Sequence, residues 1–414
     1  MTRRRIAVLA IALLLRAGAA TAQGTTEVLV DRDETVGAGA AVSVAAGTAL
    51  ARLEDHFVPV RLFDEHGAAR RAGNIAYRFL KIGAFDLPQE RFIQVANHEV
   101  FGHGGRLRER FDGPIGYSVD VPRPYGRGGG ETSFDFRREP TAYELLAITA
   151  GGMEADGVSA AIAFRHAVEA RTITPRDSMR YLSFELDTFR YIRLTGDGPQ
   201  ERGEDVADWL SVYNHVAAGT AAGALTARTL RREVLVSLAN PMLAYAAFGI
   251  GRYLWNGAGD VHVPMIRFGS LRYVPMLRYR LAPYGTEVSV VNELVRRSTL
   301  TEVTARFGRS PRSTPWGIGV LRNDVVEWRR WRVNAGASLW RQPALVGEPL
   351  DIDPSRSRLG MEARGSAERP LIPVWFGTGR AAIVVDLAVK SRGYVAGEPL
   401  SGGVNLRVGL GLPL

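Results

Sequence analysis

The sequence predicts an α+β protein, in which a mainly helical part with a metal site is followed by an antiparallel β-barrel-like region. Three observations support this. Apolar and small residues recur at helical spacing from about residue 40 to 255, and strict alternation replaces that spacing from about residue 265. The helical part also contains a His-Glu pair followed by a second histidine. We therefore divide the chain into residues 1–22 (a signal peptide), 23–262 (the helical part) and 263–414 (the barrel region).

The first segment has the composition of a secretory signal peptide. Three arginines at positions 3–5 precede an apolar run from Ile6 to Leu15, and an Ala-Thr-Ala sequence at positions 20–22 matches a cleavage site. Cleavage would remove four arginines and lower the formal charge from +9 to +5. We therefore expect an exported protein, and because cysteine is absent, no disulfide supports its fold.

The positive charge does not indicate nucleic-acid binding. Lys81 and Lys390 are the only lysines, so the basic residues are almost all arginine. No basic run, stacking motif or phosphate-binding loop accompanies them. We expect no nucleic-acid partner.

The most informative stretch holds His98, Glu99 and His103, in a chain with seven histidines. It follows Asp86-Leu87-Pro88, a helix-start signal, and precedes Gly104-Gly105, which predicts that the motif occupies the last turns of a helix.

The spacing of five residues between the imidazoles leaves three arrangements open. Residues five apart lie roughly 140° apart in a regular helix, too far for one metal ion. A π-bulge would bring His98 and His103 into line, and so would a helix that ends at Gly102. Alternatively, Glu99 and His103, four residues apart, share a face, which would make Glu99 a ligand.

This motif resembles that of the zincin metallopeptidases, with one residue more between the histidines. The resemblance implies His98 and His103 as Zn²⁺ ligands and Glu99 as the general base. The alternative without a metal is a pair of histidines that cap carbonyl groups at a helix end.

Glu154 is the best candidate for a third ligand, because it lies in an apolar helical segment with small neighbours, where an unpaired carboxylate is costly. Asp156 is a candidate partner for an imidazole N–H, and His166 is a weaker substitute ligand. The alternative is that Glu154 pairs with an arginine. The Gly/Pro-rich insertion from Gly113 to Glu131 either covers a cleft or only connects the two helices.

The barrel region consists of strands with one apolar and one polar face. The strands are about ten residues long, and tryptophans lie near their ends. Both features favour a membrane barrel over a soluble sandwich. We count seven to nine strands after residue 265, and closure needs one or two more from upstream, such as Glu27 to Val30. A last strand that reaches the C-terminal end resembles bacterial outer-membrane barrels.

The stretch from Val234 to Gly251 has no charged residue over eighteen positions, which meets the length of a spanning helix. Asn240-Pro241 interrupts it, so we predict two buried helices that meet near Pro241. An inner-membrane location is the alternative to the outer membrane, and a periplasmic one follows if the strands form a sandwich.

Three functions are compatible with these features. The first is an outer-membrane zinc hydrolase, most simply a peptidase, in which Glu99 takes a proton from water and one of Arg106, Arg108 or Arg110 stabilises the oxyanion. The second is a metal-dependent enzyme acting on lipid or envelope glycan. The third is a non-enzymatic barrel. The expected partners are membrane lipid and a peptide or envelope-derived substrate.

Overall fold

The computed structural model describes residues 25–64, 66–196, 204–218, 220, 224–373 and 380–413. The predicted signal peptide, residues 1–22, lies outside these described residues. Helices and strands are both abundant, as the predicted α+β class requires.

Ten helices and three helical segments of other types lie in the described residues. The α-helices are α1 (Val36–Phe57), α2 (Ala68–Lys81), α3 (Leu87–Ala96), α4 (Gly104–Arg110), α5 (Ala142–Ala170), α6 (Pro175–Glu185), α7 (Asp187–Leu194), α8 (Asp205–Ala217), α9 (Ala227–Glu233) and α10 (Pro241–Asn256). The π-helical segments Ile82–Asp86 and Asn97–His103 join α2 to α3 and α3 to α4 without a break, and a 3₁₀ segment, Val234–Ala239, follows α9. Residues 68–110 therefore form one continuous helix.

Fourteen strands lie in the described residues. They are β1 (Thr25–Val30), β2 (Ile115–Val119), β3 (Gly130–Phe134), β4 (Thr172–Ile173), β5 (Val261–His262), β6 (Ile266–Phe268), β7 (Leu271–Ala282), β8 (Gly285–Arg296), β9 (Thr299–Arg309), β10 (Trp316–Trp328), β11 (Trp331–Val346), β12 (Asp351–Pro373), β13 (Arg380–Lys390) and β14 (Gly403–Pro413). β2 pairs with β3 as a hairpin, and β4 pairs with β5.

The other ten strands form one antiparallel sheet in the order β1-β14-β13-β12-β11-β10-β9-β8-β7-β6. The strand predicted at Glu27 to Val30 is present as β1 and pairs with β14. In the described residues this sheet is not closed into the barrel that the strands favoured, because β1 and β6 remain its two edges. Helices stand between these edges: α1 contacts β1 and α3, while α10 contacts α2 and β7.

The sheet has an apolar outer face and a polar inner face from β9 to β14. Outward side chains form rows across neighbouring strands, such as Ile318, Leu339 and Met361, each more than a third exposed. The inner face carries buried charged groups, including Asp386 and Arg407, which are paired across β13 and β14. This orientation is the one predicted for the alternating strands.

Helix α5 crosses the interior and has two different faces. Phe164 on α5 packs with Val274 of β7 and Val291 of β8, so the helices and the sheet share one core. A cavity of about 630 Å³ lies between α5 and the polar inner face of the sheet. The side of α5 near Gly152 contacts the π segment Asn97–His103 instead.

Two helices, α1 and α5, are long and apolar enough to cross a membrane, and both are more than half buried within the molecule. The 3₁₀ segment with α9 and helix α10 would make a third only if counted as one span bent by 64°. The bend falls at Asn240-Pro241, as predicted. The expected full burial is not observed, since Leu238 and Phe248 are about half exposed.

Candidate metal centre

The π segment Asn97–His103 brings the two histidines of the motif together. The centroids of the His98 and His103 rings lie 4.9 Å apart, and both side chains are buried. The π-bulge alternative is therefore the arrangement found. The predicted helix end at Gly104-Gly105 is wrong, because the helix continues as α4 to Arg110.

Glycines near the motif permit a close helix crossing rather than a helix end. A Cβ atom on Gly102 would lie 2.5 Å from Gly152 Cα and 2.6 Å from Gly151 O, so α5 and the π segment touch through their backbones. A Cβ atom on Gly152 would overlap the His98 ring. The small residues on α5 thus make room for the imidazole.

Asp205, the first residue of α8, completes the group. Its Oδ2 atom lies 3.0 Å from Nε2 of His98, and its Oδ1 atom lies 3.3 Å from Nε2 of His103. One ligand atom from each of the three residues lies within 4.8 Å of the other two. Ligand atoms at about 2.0–2.2 Å from a zinc ion are separated by comparable distances, so this group fits a tetrahedral metal ion.

The other ring nitrogens face hydrogen-bond acceptors. Nδ1 of His103 donates to Ile148 O at 2.6 Å, since a carbonyl oxygen can only accept. Nδ1 of His98 lies 3.3 Å from Asp187 Oδ2 and 3.6 Å from Asp156 Oδ2. Such contacts orient metal-binding imidazoles and leave each Nε2 free to coordinate.

Amide side chains hold the two inner carboxylates in place. Gln94 Nε2 donates to Asp156 Oδ2 at 3.0 Å and to Asp187 Oδ1 at 2.7 Å, and Asn97 Nδ2 donates to Asp156 Oδ1 at 2.7 Å. The expected proximity of Asp156 to an imidazole is therefore observed, while Asp187 was not anticipated.

The surroundings favour positive charge on the histidines. Burial lowers the pKa of His98, but Tyr191 and the neighbouring carboxylates raise the pKa by more, so it lies well above the usual value. Burial likewise lowers the pKa of His103, and Asp205 raises it by more. Burial raises the pKa of Asp205, but the two histidines hold that pKa well below its usual range. The site therefore attracts cations.

Glu99 lies beside this group under the β2–β3 hairpin. Its Oε2 atom lies 2.7 Å from Thr132 Oγ1 on β3, and Gly130 of β3 packs against its Cγ atom. The insertion from Gly113 to Glu131 thus covers this part of the helix. The structure does not place the Glu99 carboxylate in the group of ligand atoms formed by His98, His103 and Asp205.

Glu154 lies elsewhere. Arg106 donates to both of its carboxylate oxygens, at 3.0 and 2.5 Å, and the backbone N–H of Gly397 donates to Oε1 at 2.8 Å. The alternative pairing with an arginine is the one observed, and the structure does not bring Glu154 to the histidines. His166 is partly buried on α5 and lines the cavity on the sheet side.

The three arginines considered for an oxyanion role are engaged in other contacts. Arg106 binds Glu154 and Glu109. Arg108 donates to Tyr117 Oη and to Val100 O, and Arg110 pairs with acidic side chains at positions 144 and 348. No step at the metal centre is therefore assigned to them.

Sequence reasoning missed Asp187 and Asp205. Each is the first residue of a helix, where acidic residues are common because they stabilise the helix dipole. Their one distinguishing signal was the adjacent apolar periodicity, which implies burial of a carboxylate. Comparisons of the chain with protein-family models, with curated proteins and with solved structures find no match.

Proposed function

We propose that the chain is a zinc-dependent hydrolase, most simply a metallopeptidase, held in the bacterial outer membrane by the apolar outer face of its sheet. His98, His103 and Asp205 would hold the metal ion, and Glu99 would act as the general base. Asp205 takes the place first considered for Glu154.

One observation carries the metal site: all four imidazole nitrogens of His98 and His103 face acceptors. Three carboxylates and one carbonyl surround the two rings. A neutral imidazole has one N–H donor only. Two further positive charges are therefore needed, either as one proton on each Nε2 atom or as one divalent metal ion between these atoms and Asp205.

Two imidazoles and a carboxylate are the donor set of an open catalytic zinc site, which leaves a coordination position for water. Zinc bound there would supply Lewis-acid activation of that water and of a substrate carbonyl. The chain's own contribution is to orient the imidazoles through Asp187 and Ile148 O and to provide a proton acceptor.

Glu99 is the candidate for that acceptor. It directly follows a ligand, it is buried, and its Oε2 atom has one neighbouring donor, Thr132 Oγ1. An oxygen in this position can accept a proton from water and release it to a leaving group.

The membrane part of the proposal is supported by the two faces of the sheet. The charged groups that are buried on β9–β14, such as Asp386 and Arg407, lie on the inner face. The outward rows are largely apolar, with Arg322, Arg341 and Arg369 as exceptions, which is the reverse of a soluble protein. Strands β7 to β14 are 11 to 23 residues long. Since a strand of about 9–11 residues crosses a bilayer, each of them is long enough to span one. Subcellular fractionation tests this part: we expect release by detergent only, and release without detergent would contradict it.

Metal analysis tests the site. We expect about one zinc per chain in the purified protein, and none in His98→Ala, His103→Ala or Asp205→Ala. Glu154→Ala is the matched control for a buried carboxylate and should keep its zinc. Zinc lost only in the Glu154 variant, or absent from the wild type after zinc reconstitution, would refute the proposed ligands.

Substitution of Glu99 tests the chemistry. Glu99→Gln should keep zinc and lose hydrolysis of a mixture of quenched fluorescent peptides, while Thr132→Val should retain part of the activity. Loss of zinc in Glu99→Gln would make Glu99 a ligand. Undiminished hydrolysis would remove it from the mechanism, and a wild type inactive on every peptide would argue against a peptidase.

A further inference from the structure

The helix that leads to the metal centre has its polarity reversed. Between Asn74 and Ala96, every exposed residue is apolar, and six of the nine buried residues are polar. The buried polar residues are Asn74, Arg78, Lys81, Asp86, Glu90 and Gln94. The outer residues, each 41 to 67% exposed, are Phe79, Leu80, Phe85, Leu87 and Phe92.

Interior contacts explain why the polar face is buried. Arg78 donates to the carbonyl groups of Leu254 and Trp255 at the end of α10, and Lys81 donates to Asp86. Glu90 accepts from Arg180 on α6. Since these contacts fix the rotation of the helix, Phe79, Leu80 and Phe92 face outward.

The neighbouring elements extend this apolar surface towards the sheet. Helix α10 contacts both α2 and β7, and its Phe248 and Trp255 are 51 and 69% exposed. The 3₁₀ segment adds Leu235 and Leu238, each about half exposed. These helices occupy the gap between the sheet edges β1 and β6.

We propose that this helical outer face, defined by Phe79, Leu80, Phe85, Leu87 and Phe92, contacts lipid acyl chains and completes the apolar wall of the sheet. The inference rests on the proposed membrane location. Lipid fits better than a partner protein because the same reversed polarity occurs on strands β9–β14 and on this helix, and lipid contacts both surfaces at once.

The proposal places the metal centre beside the bilayer. His98 follows Phe92 by six residues, which is about 9 Å along a helix axis at 1.5 Å per residue. An amphiphilic substrate, part of which stays in the bilayer, would therefore reach the site without leaving the membrane surface.

Because the chain has no cysteine, a single introduced cysteine is the only site at which a spin label attaches. Leu80→Cys and Phe92→Cys would report on the helical outer face. Leu406→Cys on the outer face of β14 is the lipid reference, and Arg127→Cys in the exposed loop between β2 and β3 is the water reference. Each full-length variant is reconstituted in phosphatidylethanolamine and phosphatidylglycerol vesicles, and its collision rates with oxygen and with a soluble nickel chelate are measured.

We expect the labels at Leu80 and Phe92 to match the Leu406 label, with frequent oxygen collisions and few chelate collisions. Frequent chelate collisions at Leu80 and Phe92, with Leu406 still in lipid, would overturn the proposal, and so would shielding from both reagents, which indicates a protein partner. If Leu406 is also exposed to the chelate, the membrane location fails as well. Zinc content, measured on the same samples, separates these outcomes from a failure of the metal centre.

Discussion

Each of the two π-helical segments of the Ala68–Arg110 helix brings together two residues that are five positions apart. The charged groups around these two pairs differ. At the first segment, Lys81, the last residue of α2, lies five residues before Asp86, and its Nζ atom donates to Asp86 Oδ1 at 2.9 Å. In the second, His98 and His103 lie side by side. Both pairs face the interior, so the same distortion of the helix serves two kinds of site.

Charge balance distinguishes them. The first charge cluster consists of Lys81, Asp86, Glu54 and Arg176, in which each cation contacts both carboxylates. Around the second pair stand three carboxylates, and no Arg or Lys among the described residues forms an ion pair with them. A π segment thus creates a pair of facing side chains, and the neighbouring charges decide whether that pair is already neutralised or could hold a metal ion.

The largest expected effect is a loss of zinc binding when one methyl group is added at Gly152. Gly152→Ala should abolish zinc binding, because its Cβ atom would overlap the His98 ring. Gly157→Ala on the same helix meets open space and should bind zinc like the wild type. The measurement is zinc stoichiometry after dialysis, and full zinc content in Gly152→Ala would show that the ring position is not required.

Breaking the first charge cluster should destabilise the fold without affecting zinc. Lys81→Met leaves buried carboxylates short of one cation and should lower the free energy of unfolding by about 3 kcal/mol. Arg70→Met, which removes an exposed ion pair with Asp64, should change it by less than about 1 kcal/mol. Denaturant titration measures both, and loss of zinc in Lys81→Met would show that the two sites are coupled.

Zinc should stabilise the protein by binding at the second π segment, Asn97–His103, and not at the first. At free zinc about 100-fold above the dissociation constant, the gain is about 2.7 kcal/mol, which a chelator removes. Lys81→Met should show the same gain as the wild type, and His98→Ala none. Thermal unfolding with and without chelator checks this, and a gain in His98→Ala would place the bound zinc elsewhere.

The smallest effect concerns the carboxylate behind His98. Asp187→Asn should weaken zinc binding about 10- to 100-fold while keeping the stoichiometry, because in the proposed site Asp187 would orient the His98 ring and would not be a ligand. Asp177→Asn, which removes a carboxylate paired with Arg180 near the first cluster, should leave zinc affinity unchanged. Competition with a fluorescent zinc chelator gives the affinities, and equal values for the two variants would deny Asp187 this role.

The sequence contains the local part of this arrangement. The five-residue spacing of His98 and His103 made a π-bulge one of three arrangements, and alternation correctly assigned the faces of the strands. The two glycines after His103 were interpreted as a helix end, yet the close crossing with α5 keeps them helical. A residue pattern along one helix or strand thus predicts which of its faces is buried, but not which neighbouring element packs against that face.

Distant partners could not be predicted in the same way. Asp205 lies 107 residues from His98, and only the packing of α8 against α5 brings it to the histidines. Glu154 looked suitable by burial alone, but Arg106 was an equally buried partner one helix away. Whether the sheet closes could not be predicted either, because a count of strands does not include the helices that lie between the sheet edges.

The pairing of β1 with β14 also governs how the molecule can be assembled. The register runs from Thr25 opposite Pro413 to Val30 opposite Val408, so the contact joins residues nearly four hundred positions apart. During synthesis, β1 is made before the other strands of the sheet. Its backbone N–H and C=O groups have no strand partner until β14 is made. Contacts of such sequence separation form slowly. The growing chain therefore carries an unpaired strand edge until β14 is made, and a binding factor that covers β1 in that interval would protect it from aggregation.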